Sequence, residues 1–387
     1  MSTTNQSESP TKGSKKSPTE QQNQHLQPLL GLLRTLVLLL LFNIGLLAYL
    51  VWFTVPAPWV QESWTSFSNK IKNAWEASDV TDSEESTALE DSGVEVAIWS
   101  APNPEELPDG PEKERILYGR DLIAHTAKFF GPKGSVKAGA TNGMNCQNCH
   151  LKAGTQPFGN NYSAVASTYP KYRARSGAVE NIYKRVNDCF ERSLNGQALD
   201  TNGAEMAALV AYIQFLGKEV PKGEKPEGSG LKKLPFLNRA ADPLAGEKVY
   251  AALCARCHKS NGQGVLAPDG IEYTYPPMWG ARSYNTGAGL YRLSNFAKYV
   301  KYNMPQGVEH TEPVLTDEEA WDLAAFVNSQ PRPGKDISKD WPRIEEKPFD
   351  HPFGPFADAF TEKEHKYGPF GPIEAAAEAR KAKDGKK

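Results

Sequence analysis

The feature that most constrains this 387-residue chain is a pentapeptide with the pattern Cys-x-x-Cys-His, which occurs twice. Two thiols three positions apart can add to the vinyl groups of haem, and the adjacent imidazole then binds the iron. A zinc site would need two Cys-x-x-Cys pairs about 15–20 residues apart, whereas these pairs lie more than a hundred residues apart. We therefore predict two covalently bound haem c groups (iron), attached at Cys146, Cys149, Cys254 and Cys257, with His150 and His258 as iron ligands.

The fifth cysteine, Cys189, has no partner left in the chain once the haems have taken the other four. It could be an inert buried thiol, because free cysteine packs like a small hydrophobic residue. Cationic neighbours favour the thiolate, however, and four arginines are close in sequence: Arg173, Arg175, Arg185 and Arg192.

The position of Cys189 also suggests a role at the first haem. It lies about forty residues after His150, and Met304 lies about forty-five after His258. In a small c-type cytochrome domain this is the interval at which the sixth iron ligand follows the haem motif. We predict Cys189 and Met304 as sixth ligands. Met278 comes too early, and Met206 lies on an apolar helical stripe, so both are weaker candidates.

The helical patterns predict a mainly α fold with an internal duplication. Met206, Leu209, Val210 and Ile213 recur at helical spacing, which predicts a helix that closes the first domain and ends near Gly217. A capping box at Thr316–Glu319 starts a second closing helix. We predict two tandem class I-like cytochrome c domains, 99–219 (catalytic haem) and 239–330 (electron-transfer haem), joined by a linker, 220–238.

The two ends of the chain differ from these domains in composition. Residues 1–28 are rich in Ser, Thr, Gln and Lys, and we predict that 1–34 form a disordered cytoplasmic tail. Residues 35–55 are apolar and long enough for a transmembrane anchor, and 56–98 form an acidic linker. A cleaved signal peptide is the alternative to the anchor, although no A-x-A site follows. The C-terminal extension, 331–387, is a strap and tail whose aromatic residues are expected to wrap the domains.

The net charge and the cysteines indicate where in the cell the protein is located and which partners it could bind. The formal net charge is −2, which gives no case for nucleic acid binding. Five cysteines with two haem motifs imply an oxidising, haem-loading compartment outside the cytoplasm. Because lysines and Arg34 precede the apolar span, the N-terminus is expected in the cytoplasm. These features predict a single-pass protein of the inner (cytoplasmic) membrane with its haem domains in the periplasm.

The block Asn142–Gly196 carries a resemblance to a known family. Its runs CQNCHLKAG, PFGNNY, YPKYRARSG and RVNDCFERSLNG, followed by a second haem motif, resemble the dihaem c-type thiosulfate dehydrogenases. These periplasmic cytochromes join two thiosulfates into tetrathionate. The resemblance implies that Arg175, Arg185 and Ser193 line the substrate site beside a reactive Cys189. The haem cytochromes of the Sox sulfur-oxidising complex are more distantly similar, and a Sox-type role would require partner subunits.

The resemblance implies a reaction and leaves alternatives to it. Thiosulfate would be oxidised at the haem ligated by His150 and Cys189. Electrons would then pass through the haem ligated by His258 and Met304 to a c-type cytochrome or another redox acceptor. The alternatives are a membrane-anchored electron carrier without substrate chemistry, and the same enzyme working as a tetrathionate reductase. Arg173 and Arg192 could serve the substrate, the haem propionates or the surface.

Overall fold

The structure is a computed structural model that describes residues 97–384, and within them it is mainly helical. The expectations for residues 1–34 and 35–55, and for nearly all of 56–98, lie outside this range. Within residues 97–384, no helix combines the length and apolar character needed to cross a bilayer.

The first domain consists of six helices and a short hairpin. The helices are α1 (Pro111–Ala124), α2 (Thr126–Phe130), α3 (Leu151–Gly154), α4 (Val165–Thr168), α5 (Ile182–Arg192) and α6 (Ala204–Leu216). The hairpin pairs β1 (Lys171–Arg173) with β2 (Ala178–Glu180) in antiparallel register. The predicted closing helix is confirmed as α6, and Gly217 is its C-cap. Cys189 lies inside α5, the helix that precedes the closing helix.

The second domain repeats the order of helix, haem motif, loop and closing helix. Its helices are α7 (Pro243–Val249), α8 (Ala255–His258), α9 (Leu293–Asn303) and α10 (Asp317–Ser329), with a π-helical turn, Tyr250–Cys254, between α7 and α8. Short strands β3 (Val265–Leu266) and β4 (Tyr273–Tyr275) pair antiparallel. The Thr316 side chain accepts from the Glu319 backbone N–H, which confirms the predicted capping box.

Each domain contains a similar close crossing of two helices. In the first domain α1 packs on α6, and in the second α7 packs on α10. A Cβ on Gly119 of α1 would lie 2.0 Å from the carbonyl oxygen of Ala208, and one on Gly246 of α7 would lie 1.9 Å from that of Asp322. Neither crossing has room for a side chain, since packed interiors leave little void. The repeated glycine supports the internal duplication.

The C-terminal extension contacts both domains. Its first part is largely irregular, and its two helices are α11 (Glu362–Tyr367) and α12 (Phe370–Asp384). Phe370 and Ile373 are buried in the hydrophobic core of the second domain. The backbone N–H of Trp341 donates to the carbonyl of Arg175 in the first domain (2.7 Å).

Direct hydrogen bonds join the two haem domains. The Asn285 amide donates to the carbonyl of Glu191 (2.9 Å), and the Tyr299 hydroxyl donates to the carbonyl of Asn148 (2.7 Å). The linker folds back on the first domain as well, because the Asn161 amide donates to the Gly228 carbonyl (2.8 Å). The first and second haem motifs are therefore held in one packed unit.

Candidate active site between the two haem domains

The two motif histidines are both fixed through one ring nitrogen. Nδ1 of His150 lies 2.5 Å from the carbonyl oxygen of Asn160, and Nδ1 of His258 lies 2.8 Å from that of Pro276. A carbonyl partner at Nδ1 requires the proton there and leaves Nε2 free to bind a metal. Burial lowers the pKa of His150 to about 4, so its imidazole is neutral at neutral pH, as a metal ligand must be.

A cavity beside the first motif has the shape and chemistry for a porphyrin. It has a volume of about 400 Å³ and is lined by Cys146, Cys149, His150 and Cys189 together with apolar side chains such as Leu209 and Ile213. We call it the haem cavity. Burial raises the pKa of both attachment thiols to about 12, which fits side chains placed in apolar surroundings. The residues present fit a covalently bound haem.

A second cavity, of about 370 Å³, adjoins the first and has a different lining. We call it the arginine cavity. It shares His150, Cys189 and Ser193 with the haem cavity. Six cations line it, against the single carboxylate of Asp188: Arg173, Arg175, Arg185, Arg192, Arg292 and Lys298. The structure thus brings all the expected catalytic residues, Cys189, Arg175, Arg185 and Ser193, to one strongly basic cavity.

Helix α5 sets the contact between Arg185 and the cysteine. The two residues are four positions apart, so their side chains leave the same face of the helix. The Arg185 guanidinium donates to Sγ of Cys189 at 3.0 Å. The Cys189 sulfur in turn raises the pKa of Arg185, against the opposing effect of burial. A positive group this close favours the thiolate form of a cysteine.

Arg175 approaches the cavity from the β1–β2 turn. Its guanidinium donates to the carbonyl of Gly287 in the second domain (2.6 Å) and lies 5.1 Å from the Trp341 ring centroid. Burial and the nearby Arg192 lower the pKa of Arg175 to about 10, so it remains a cation at neutral pH. Arg175 is therefore held by the second domain and by the C-terminal extension together.

Arg173 and Arg192, which have no definite role from sequence alone, lie near different acidic residues. Arg192 makes a bidentate ion pair with Asp340, with both N–O distances 2.8 Å. Arg173 lies at the limit of an ion pair with the buried Glu180 (4.0 Å). Arg192 is therefore not a surface residue, and Asp340 of the C-terminal extension neutralises its charge. Sequence reasoning did not identify Asp340, because no motif connects the two residues.

The second domain contributes two cations that sequence reasoning also missed. Arg292 precedes α9 and Lys298 lies within it, and both line the arginine cavity. Together with Asn295 they recur at intervals of three positions. This polar stripe on a helix that otherwise faces the core is the signal that could have found them.

The predicted sixth ligand of the second haem, Met304, follows α9 directly. It is the C-cap of that helix in extended conformation and packs on the same core cluster as Cys254. Met278 packs on this cluster too. The preceding Asn303 donates to the Phe158 carbonyl of the first domain (3.2 Å), which ties the segment around Met304 to that domain.

Comparisons with known proteins agree with this architecture. The SoxA/TsdA cytochrome c domain model matches residues 136–221, and the cytochrome c model matches 244–331, so the protein carries two covalently bound haem c groups. The chain is 39% identical to the thiosulfate dehydrogenase of Allochromatium vinosum over 59% of this chain and 82% of that protein. It is 36% identical to that of Psychrobacter arcticus over 62% and 71%, respectively.

A solved structure shares the fold. The thiosulfate dehydrogenase (TsdBA) of Marichromatium purpuratum in its as-isolated form has a TM-score of 0.56 and 33% identity. The match covers 61% of this chain and 50% of that one. On the strength of the extensive curated matches, this chain belongs to the thiosulfate dehydrogenase family of dihaem cytochromes c.

Proposed function

We propose that the protein oxidises two thiosulfates to tetrathionate in the arginine cavity, with Sγ of Cys189 as the reactive atom. The observation that carries the proposal is the contact between Arg185 and Sγ of Cys189 (3.0 Å) in a cavity lined by six cations. Two thiosulfates bring four negative charges together. Two unit charges 4 Å apart repel by about 1 kcal/mol in water and about 4 kcal/mol near protein, so a site for this coupling needs fixed positive charge.

Some residues of the cavity would bind the substrate, and Cys189 would react with it. Arg175, Arg185 and Ser193 hold the sulfonate of the first thiosulfate, since guanidinium groups suit multidentate oxyanions. The Cys189 thiolate bonds to the sulfane sulfur, and this step releases two electrons to give a Cys–S–S–SO₃⁻ adduct. A second thiosulfate attacks the same sulfane sulfur, breaks its bond to Cys189, releases tetrathionate and restores the thiolate.

The haems complete the proposal. His150 and Cys189 would hold the first haem iron, and His258 and Met304 would hold the second; when bound, the haems would supply one-electron acceptors and a route to an external c-type cytochrome or other acceptor. His150 and Cys189 line one cavity, and the free Nε2 of each histidine supports the ligation. We keep 99–219 and 239–330 as the boundaries of the two haem domains.

The test is optical. Thiosulfate added to the oxidised protein should produce a ferrous haem band and tetrathionate. Replacing Cys189 with Gly should leave both haems attached but abolish tetrathionate formation. Near-native turnover in that variant would contradict the role of Cys189. If the wild-type protein exchanges electrons with partners but is never reduced by thiosulfate, it is an electron carrier instead.

We also propose that residues 35–55 anchor the protein in the inner membrane, with the haem domains in the periplasm. The support is the apolar stretch with basic residues before it. The full-length protein should remain with membranes after a carbonate wash, and a chain lacking residues 1–55 but exported by a separate signal should be released. Retention of both forms would refute the anchor.

A further inference from the structure

Two cations from the second domain line the arginine cavity but not the haem cavity. They are Arg292 and Lys298. Two other cations, Lys171 and Lys225, line the haem cavity alone. Arg292 and Lys298 therefore face the part of the site that lies outside the haem cavity.

Arg292 is held so that its outer nitrogens stay available. Its Nε donates to Asp350 at 2.6 Å, and Asp350 is 1% exposed. The other oxygen of Asp350 accepts from the backbone N–H and the hydroxyl of Ser294. Among the described residues, neither terminal nitrogen of Arg292 has a hydrogen-bond partner. The buried carboxylate thus fixes the guanidinium, while its two terminal amino groups can bind a ligand.

Lys298 is a cation with no carboxylate within ion-pair distance among residues 97–384. Its Nζ makes no hydrogen bond or ion pair with any residue in the range 97–384. Burial lowers its pKa, with Arg292 and Lys233 acting in the same direction, while the carboxylates of Asp350 and Glu374 oppose the shift. A half-buried lysine that gains no protein partner is costly, because its charge loses water without compensation. A bound anion would supply that compensation.

We propose that Arg292 and Lys298 form a second oxyanion subsite that holds the sulfonate of the second thiosulfate. This inference rests on the proposed function. Tetrathionate carries a sulfonate at each end, so the site needs two oxyanion positions on either side of the new sulfur–sulfur bond. Arg175, Arg185 and Ser193 supply the first position, and the second domain supplies the other. The second domain would then bind substrate as well as transfer electrons.

The test uses Lys298→Gln in the oxidised, haem-loaded protein, with tetrathionate as the probe in isothermal titration calorimetry. Loss of one charged contact should weaken tetrathionate binding about tenfold. The half-saturating thiosulfate concentration should rise by a similar factor. Lys248→Gln is the matched control, since Lys248 is an exposed lysine of the same domain that does not line the cavity. It should bind tetrathionate like the wild type.

Two further outcomes decide the proposal. Arg292→Lys keeps the charge but loses the two-pronged donor, so its tetrathionate affinity should also fall several-fold while the protein stays folded. If Lys298→Gln binds tetrathionate normally but changes the reduction potential of the first haem, Lys298 serves a haem propionate and the subsite is refuted. A wild-type protein that thiosulfate never reduces would instead refute the proposed function itself.

Discussion

Asp340 in the C-terminal extension offers the sharpest test of how the arginine cavity is held. Its carboxylate binds Arg192 through both oxygens at 2.8 Å and lies 3.5 Å from the guanidinium of Arg175. The three side chains are 9%, 14% and 17% exposed, respectively. Asp340→Asn keeps the shape of the side chain, removes its charge, and leaves two neighbouring arginines without their shared acid.

The expected magnitude follows from this burial. Breaking a buried ion pair by removing one partner costs about 3–5 kcal/mol. Because both arginines keep some contact with water, we expect the free energy of unfolding to fall by about 2–4 kcal/mol. For a folded unit of this size each kcal/mol lowers Tm by about 2–4 °C. We therefore expect Tm to fall by roughly 4–16 °C. We also expect half-saturating thiosulfate to rise about tenfold, because Arg175 loses its fixed position.

The measurement compares thermal unfolding by circular dichroism and thiosulfate kinetics in Asp340→Asn and Asp336→Asn. Asp336 is an exposed acid of the same extension that makes only a local turn with Ser338, so its replacement should change neither quantity. Equal Tm and equal thiosulfate kinetics in the two variants would refute the reasoning. The extension would then cover the site without positioning its arginines.

Three other changes test the helix crossing, the reactive pair and a buried histidine. Gly246→Ala should lower the free energy of unfolding by about 3 kcal/mol or more, because its Cβ would meet the Asp322 carbonyl at 1.9 Å; denaturant unfolding measures this. Arg185→Gln should reduce kcat/KM for thiosulfate about a hundredfold, since the donor to Cys189 Sγ is lost. His351→Phe should make the protein more resistant to acid, as measured by Tm between pH 7 and pH 4. Burial lowers the pKa of His351 from 6.5 to about 3, so the folded state loses stability as pH falls from 6.5 towards 3.

Each of these changes has a control. Gly371→Ala should be tolerated, because no atom lies within 4 Å of the added Cβ. Arg185→Lys keeps a cation and should retain more activity than the Gln variant. For His351→Phe, the gain in Tm over the wild type should grow as pH falls. A constant difference across the range would mean that protonation of His351 does not oppose folding.

Local patterns were enough to predict the duplicated helical frame. The apolar stripe from Met206 to Ile213 and the capping box at Thr316 identified both closing helices, because helical spacing and capping act within a few residues. Two Cys-x-x-Cys-His motifs likewise identified both haem sites. These features depend on neighbours in sequence, which is why they could be found without coordinates.

Features that join distant residues could not be predicted in this way. Asp340 meets Arg192 across 148 positions, and Asp350 meets Arg292 across 58. Ionic pairing of this kind leaves no periodic pattern, since acids and bases are common on surfaces. Likewise, no local pattern indicates that His351 of the C-terminal extension is buried, with the Trp341 ring 4.3 Å away between ring centroids.

The two proposed sixth ligands differ in their position relative to a helix. Cys189 lies inside α5, where the backbone N–H of Leu194 binds its carbonyl (2.9 Å), so its direction is fixed by the helix itself. Arg185, one turn earlier, must then face the same side and reach the sulfur. Met304 is the C-cap of α9 and its backbone N–H donates to the carbonyl of Val300 (3.1 Å), so the residue four positions before it is an uncharged valine. The Arg-x-x-x-Cys spacing within a helix, rather than the cysteine alone, is therefore the local feature that brings a cation to the sulfur of Cys189.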